Sequence, residues 1–374
     1  MMSGKTFKKR MKSILEIDFK KGKTMNRKLN NEEKIVLLGS VQRRTDVENE
    51  ELIKLMEEKN DWGWIVGALL RHRLNGYFMI GMKDMIKNKI PKKTIKAFKM
   101  LCDIYEQSNI INLKLSEDLF QRLNNEKIPC AGLKGIIHNT SIYCLNMRIS
   151  NDIDVLLCEK EYKKFDKVMK SMGFYQSADG GKTEASRKEK LIQVMNYHDL
   201  LPYYKKCDHW FMKQIEIDVN IHFDCKENDI TEAILEEGIT EYSANGYSTQ
   251  GLIWPLHCLH LCSHYYREAT NSIWYEDNRD IELYKIVDIE NTFRVNNENV
   301  FEQMIKIAKK YNLINSMYYT LFYLNELYPN NRYKKILQGF DGIDINEIGK
   351  IRFPSGEKID VQKDFFDRTF QMIY

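Results

Sequence analysis

The stretch from Pro129 to Leu157, PCAGLKGIIHNTSIYCLNMRISNDIDVLL, constrains the fold of this chain more than any other. It reads as a strand over 128–133, a glycine turn, a helix over 135–145 and a second strand over 153–158, with aspartates at i and i+2 as the chain enters that strand. Side chains alternate faces along a strand, so Asp152 and Asp154 point one way while Ile153 and Val155 point into a core. Two carboxylates on one face of a buried strand repel each other unless a cation sits between them. Mg2+ is held by one or two carboxylates together with substrate phosphates, which suits phosphoryl or nucleotidyl transfer, and Mn2+ is the other ion such a pair accepts.

The rest of the chain is organised around this segment. Apolar residues recur at i, i+3, i+4 and i+7 through 31–125, predicting helices over 33–41, 48–60, 63–74 and 93–123. Between 128 and 225 short apolar runs alternate with polar turns. After the second strand come a helix over 160–173 that ends on a glycine and a loop at 178–183 without the spacing of a phosphate loop. Residues 190–204 and 213–223 then read as a β-pair. Helical periodicity returns over 231–237, 253–267, 280–293 and 300–327, and 331–374 is mixed. The expected fold class is α+β: a basic, disordered tail at 1–29, a helical region at 30–127, a small mixed-sheet core at 128–225, and a mainly helical region at 226–374.

Composition narrows the setting. The chain has 374 residues, of which 43% are hydrophobic, enough to build a sizeable core. No apolar run reaches the roughly 18–20 residues that span a bilayer. The basic N-terminus lacks the apolar segment and cleavage site of a signal peptide, so a cytoplasmic protein with no membrane partner is expected. The net charge of +4 is concentrated in the first residues. A basic tail can bind nucleic acid, but such runs are more often solvated extensions. Eight cysteines occur without a CxxC pair and read as reduced small hydrophobes rather than a disulfide framework.

Several residues near the aspartates carry chemistry of their own. Gly132 and Gly135 let the backbone approach a phosphate, and the helix that follows favours an anion at its start. Lys134 offers an ammonium to a β- or γ-phosphate, and Arg148 offers a fork of donors to a triphosphate or an ion pair to Asp152. His257, His260 and His264 share one face of a helix and Cys258 and Cys262 another. No second cluster completes a zinc set, so they read as core cysteines beside polar-facing histidines. Trp254, Trp274, Tyr265 and Tyr266 read as core aromatics.

A glycine turn, a helix and a D-x-D strand resemble the polymerase-β-like nucleotidyltransferase superfamily. The pattern is most similar to a bacterial family of uncharacterised nucleotidyltransferases whose motif runs LKG, a helix, then R-x-x-x-D-I-D and an apolar residue. Leu133, Lys134, Gly135, Arg148, Asp152, Ile153 and Asp154 match it. Residues 64–74 resemble the family's helical lead-in, 214–222 its third core strand ending in His222, and 259–264 and 283–288 its C-terminal helices. The chain departs from the pattern in having Lys134-Gly135 where the wider superfamily has Gly-Ser. It also has Asn220 where a carboxylate is expected two residues before His222; Asp218 and Glu216 lie behind it on the same face.

The resemblance implies a polymerase-β-like core and Mg2+-dependent transfer of a nucleoside monophosphate from an NTP to an acceptor hydroxyl or phosphate, releasing pyrophosphate. It implies Asp152, Asp154 and Asp218 as catalytic metal ligands, with Glu216 as the alternative third. Gly132, Lys134, Gly135, Arg148, His222 and His264 would line the nucleotide site. The acceptor is a small molecule, a protein or a tRNA. The alternatives are a toxin- or defence-type transferase acting on tRNA or protein, and a non-catalytic nucleotide-binding scaffold on the same fold.

Overall fold

The alternation that sets Asp152 and Asp154 on one face runs through a seven-stranded mixed sheet. The computed structural model describes residues 27–371 apart from positions 87 and 341, so most of the tail expected at 1–29 lies outside the described residues. The strands are β1 (Cys130–Gly132), β2 (Ile153–Leu157), β3 (Tyr175–Gln176), β4 (Tyr203–Lys206), β5 (Gln214–Asn220), β6 (Ile239–Ala244) and β7 (Tyr247–Leu252), in the order β3-β4-β5-β2-β1-β7-β6. β2 runs antiparallel to β1 and parallel to β5, and the parallel register sets Asp154 opposite Asp218 and Leu156 opposite Asn220.

Ile153, Val155 and Leu157 of β2 and Ile215, Ile217 and Val219 of β5 turn to the other face. There they are buried against the helices Lys92–Asn125 and Tyr162–Ser171. A slip of one residue would bury the aspartates and expose this row, so the register of the site follows from hydrophobic burial. A second apolar cluster joins the helices of the N-terminal region to Trp254–Ala269, Leu283–Val295, Glu298–Lys310 and Ile314–Leu327. It reaches the sheet through Ala131, Leu133 and Leu156.

Several segments depart from the sequence expectation. The strand expected over 190–204 is the helix Arg187–Asn196, followed only by β4. Its start is fixed by a reciprocal capping box between Ser186 and Glu189, a local signal that outweighs the ambiguous apolar spacing. The helix expected over 135–145 stops at Asn139. There the Thr140 hydroxyl donates to the Ile136 carbonyl at 2.7 Å and competes with the backbone.

The β6–β7 hairpin was not expected, and it carries the sheet past residue 225. Its turn is Asn245-Gly246 with φ of 57° and 80°, the two-residue geometry whose twist matches its strands. The helix expected over 300–327 is two helices, parted where Asn312 takes a φ of 57°. The C-terminal stretch adds the two-stranded ribbon β8 (Ile351–Arg352) and β9 (Lys358–Ile359) between short helices.

The histidine-rich helix also differs from expectation. Cys258 and Cys262 are core, but so are His257 and His260, both fully buried rather than polar-facing. The i, i+3 face they occupy points into the apolar cluster, and only His264 reaches a cavity. All eight cysteines are free thiols. Among the described residues no helix is long and apolar enough to cross a membrane.

Candidate functional site

A cavity of about 680 Å3 lies between the polar face of β2 and β5 and the helices Trp254–Ala269 and Leu283–Val295. That volume is in the range of small-molecule sites, roughly 300–1,000 Å3. Asp152, Asp154 and Asp218 all line it. Burial, and then the charge on Asp154, push the Asp152 carboxyl up to about 6, although Lys134 and Arg148 pull it back. Burial and then the charges on Asp154, Asp152 and Glu216 push Asp218 up to about 8. Asp218 Oδ1 is buried with no hydrogen-bond partner among the described residues.

Glu216, the alternative third carboxylate, does not line the cavity and accepts a hydrogen bond from the Tyr204 hydroxyl at 2.7 Å. Asn220 lines the cavity, and its amide points to the Val155 carbonyl at 3.4 Å.

Lys134 sits at the turn with a φ of 48°, a conformation that side-chain-bearing residues rarely adopt. The turn directs its ammonium onto Asp154 Oδ1 at 2.8 Å. Burial alone would lower its proton affinity, but the fields of Asp154 and Asp152 more than offset that, and the ammonium stays charged. One lysine therefore faces three clustered carboxylates, and net negative charge remains.

Gly132 and Gly135 do not line the cavity. A Cβ on Gly132 would stand 2.6 Å from Ile136 Cδ1, and one on Gly135 would stand 2.4 Å from Ser150 Oγ. Their role in the turn is close packing that brings strand, helix and the Arg148–Ser150 segment together.

Arg148 borders the cavity, but its Nε donates to Asp288 Oδ2 at 2.7 Å, and it makes no ion pair with Asp152. The hydroxyls of Tyr77 and Tyr143 donate to Asp288 Oδ1 at 2.6 and 2.9 Å. Burial would raise the Asp288 carboxyl, but Arg148, then His138 and the Tyr77 hydroxyl, hold it below the usual carboxylate range. The guanidinium fork expected to meet a triphosphate is thus engaged within the protein.

His222 is buried away from the cavity, with Nδ1 3.3 Å from Asp229 Oδ1. His264 lines the cavity with Nε2 3.6 Å from Glu268 Oε1. Burial and then the charges of Lys134, Lys285 and Arg267 push its imidazole far down, so it is neutral near pH 7.

The opposite wall was largely unread from the sequence. Arg267, Glu268, Trp274, Lys285 and Arg352 all face the cavity. Only the i, i+3, i+4 spacing of His264, Arg267 and Glu268 on a helix hinted that they share a face.

Among the described residues no three carboxylate, imidazole or thiol groups are closed up into a ready-made metal cage. Mg2+ needs no such cage, because it keeps waters and takes phosphates beside one or two carboxylates. The donor set fits a hard cation: oxygen only, negatively charged, with the orphaned Asp218 Oδ1 beside Asp152 and Asp154.

No curated protein matches the chain. A family model described as uncharacterised nucleotidyltransferase matches residues 58–329, a span that takes in every carboxylate and the lysine described above. The chain therefore belongs to this family of uncharacterised nucleotidyltransferases.

Proposed function

We propose that the chain is a Mg2+-dependent enzyme that moves a nucleoside monophosphate from an NTP to an acceptor hydroxyl or phosphate. The observation that carries the reading is the register of β2 on β5, which gathers Asp152, Asp154 and Asp218 at one cavity wall, with the proton affinities of Asp152 and Asp218 raised. On this reading Asp152 and Asp154 hold the metal with a polymerase-β-like core behind them, and Asp218 is the third carboxylate. Bound Mg2+ would neutralise the triphosphate and stabilise charge on the departing pyrophosphate.

The acceptor oxygen attacks the α-phosphorus, the bond from that phosphorus to the β-phosphate oxygen breaks, and pyrophosphate leaves. The acceptor proton passes to Asp218, the third carboxylate of the wall. Lys134 offers its ammonium to the phosphates, and His264, neutral and uncharged in the wall, borders the donor or acceptor. An NTP donor suits a reaction in the cytoplasm.

A thermal-shift panel tests the reading, because a ligand that binds only the folded chain raises its midpoint. ATP, GTP, CTP and UTP are each added with and without Mg2+ to wild type and to Asp152→Ala/Asp154→Ala. A Mg2+-dependent rise with at least one NTP, lost in the double variant, is expected. An equal rise in the double variant would overturn the assignment of these aspartates.

A further inference from the structure

The charge pattern of the cavity wall separates two arginines from the rest. Among the described residues seven lysines and arginines line the cavity. Lys134 is held by Asp154 at 2.8 Å, Arg148 by Asp288 at 2.7 Å, and Lys285 by Glu268 and, at 3.3 Å, by Glu282. Arg73 and Arg279 share Glu282 at 4.0 and 3.9 Å. Arg267 and Arg352 differ: among the described residues, neither has a carboxylate at ion-pair distance. Arg267 donates to the backbone carbonyl of Asp224. Arg352 donates to the Tyr266 hydroxyl and lies over that ring, 4.7 Å from its centroid.

Backbone contacts join the segments that carry the two arginines. Arg267 stands in the last turn of the helix Trp254–Ala269. Just beyond it the Thr270 carbonyl accepts from the Arg352 backbone N–H at 2.7 Å, and Asn271 bridges to Arg352 in parallel. This stitches β8 to the helix end, and both arginines line the cavity. Arg352 lies beyond the span matched by the family, so the contact belongs to the C-terminal stretch of this chain. Burial lowers the proton affinity of Arg267, and the nearby carboxylates do not make up for it. A guanidinium that is partly desolvated and has no carboxylate at ion-pair distance gains from an incoming anion, and its planar donor fork matches a pair of phosphate oxygens.

We propose that Arg267 and Arg352 form a subsite for a phosphate chain, set apart from the aspartates. This inference rests on the transferase reading for the source of that chain: the tail of the NTP donor or a phosphate on the acceptor. The probe is inorganic tripolyphosphate, titrated calorimetrically in EDTA into wild type, Arg267→Gln, Arg352→Gln and the double variant. Wild type is expected to bind. Each single variant should bind about tenfold more weakly, the usual worth of one charge-assisted bond, and the double variant more weakly still. Arg352 is exposed, so its variant keeps the test valid even if Arg267→Gln folds poorly.

Saturating ATP assigns the source. If ATP displaces tripolyphosphate, the subsite holds the donor tail. If both bind together, it holds the acceptor phosphate. Failure of wild type to bind, or binding by Arg352→Gln as tight as that of wild type, would overturn the proposal. Arginine-dependent binding in a protein without transferase activity would sink the transferase reading alone.

Discussion

At the scale of single residues the site is defined by charge that the fold leaves uncompensated. Asp152 and Asp218 have proton affinities above the ordinary aspartate value, which is near 3.9. At these two groups the folded chain therefore binds more protons than the unfolded chain between about pH 4 and about 8, and the stability they contribute to the ligand-free chain falls as pH rises through about 6 and then about 8. Asp218→Asn removes one of these groups. Its melting temperature should lie close to that of wild type at pH 4 and exceed it by on the order of a few degrees at pH 9. Mg2+ competes with the same protons, so it should stabilise wild type more at pH 8 than at pH 6. Melting curves across pH, with and without Mg2+, check both statements. A variant less stable than wild type at pH 9 would show that Asp218 is compensated in the fold.

At the scale of elements, the sequence was informative where burial and chemistry coincide and silent where they part. The D-x-D strand was legible because its alternation is at once a core pattern and a charge pattern, and β5 was legible for the same reason. Spacing alone sets Asp218 and Glu216 on the same face of β5. The parallel register decides which of them faces the cavity, and register is a long-range property. Arg148 is legible in the motif, but its partner Asp288 lies 140 residues away, so the ion pair between them is not. The β6–β7 hairpin was missed although Asn245-Gly246 is a strong turn signal, because its strands alternate weakly and only one residue of β6 is buried. The helix Arg187–Asn196 buries no side chain, so no apolar face marked its period and only its capping box gave it away.

At the scale of the whole molecule, Asp288 ties together parts that are far apart in sequence. Tyr77 comes from the N-terminal helices, Tyr143 and Arg148 from the segment that leads into β2, and Asp288 itself from the C-terminal helices. This buried cluster holds the turn and the aspartate strand against the wall that carries Arg267 and Lys285. Asp288→Asn would leave the Arg148 guanidinium buried without its counter-charge, at a cost of about 3–5 kcal/mol. Urea denaturation should show that loss as a lower midpoint. A change below about 1 kcal/mol would mean that the cluster is no more than a surface-like pair. Activity lost in such a variant would follow from misplacement of β2, so it says little about phosphate binding by Arg148.

The most direct test of the central claim is transfer of label from α-32P-labelled NTPs, with Mg2+, to a pool of cellular RNA, protein and small molecules. Wild type should leave label in one acceptor class and release pyrophosphate. Asp152→Asn and Asp154→Asn, with melting temperatures no lower than wild type, should lose roughly 10²–10³-fold or more of that rate. Equal labelling by wild type and both variants, or no labelling with any NTP, would contradict the account and leave the chain as a nucleotide-binding scaffold.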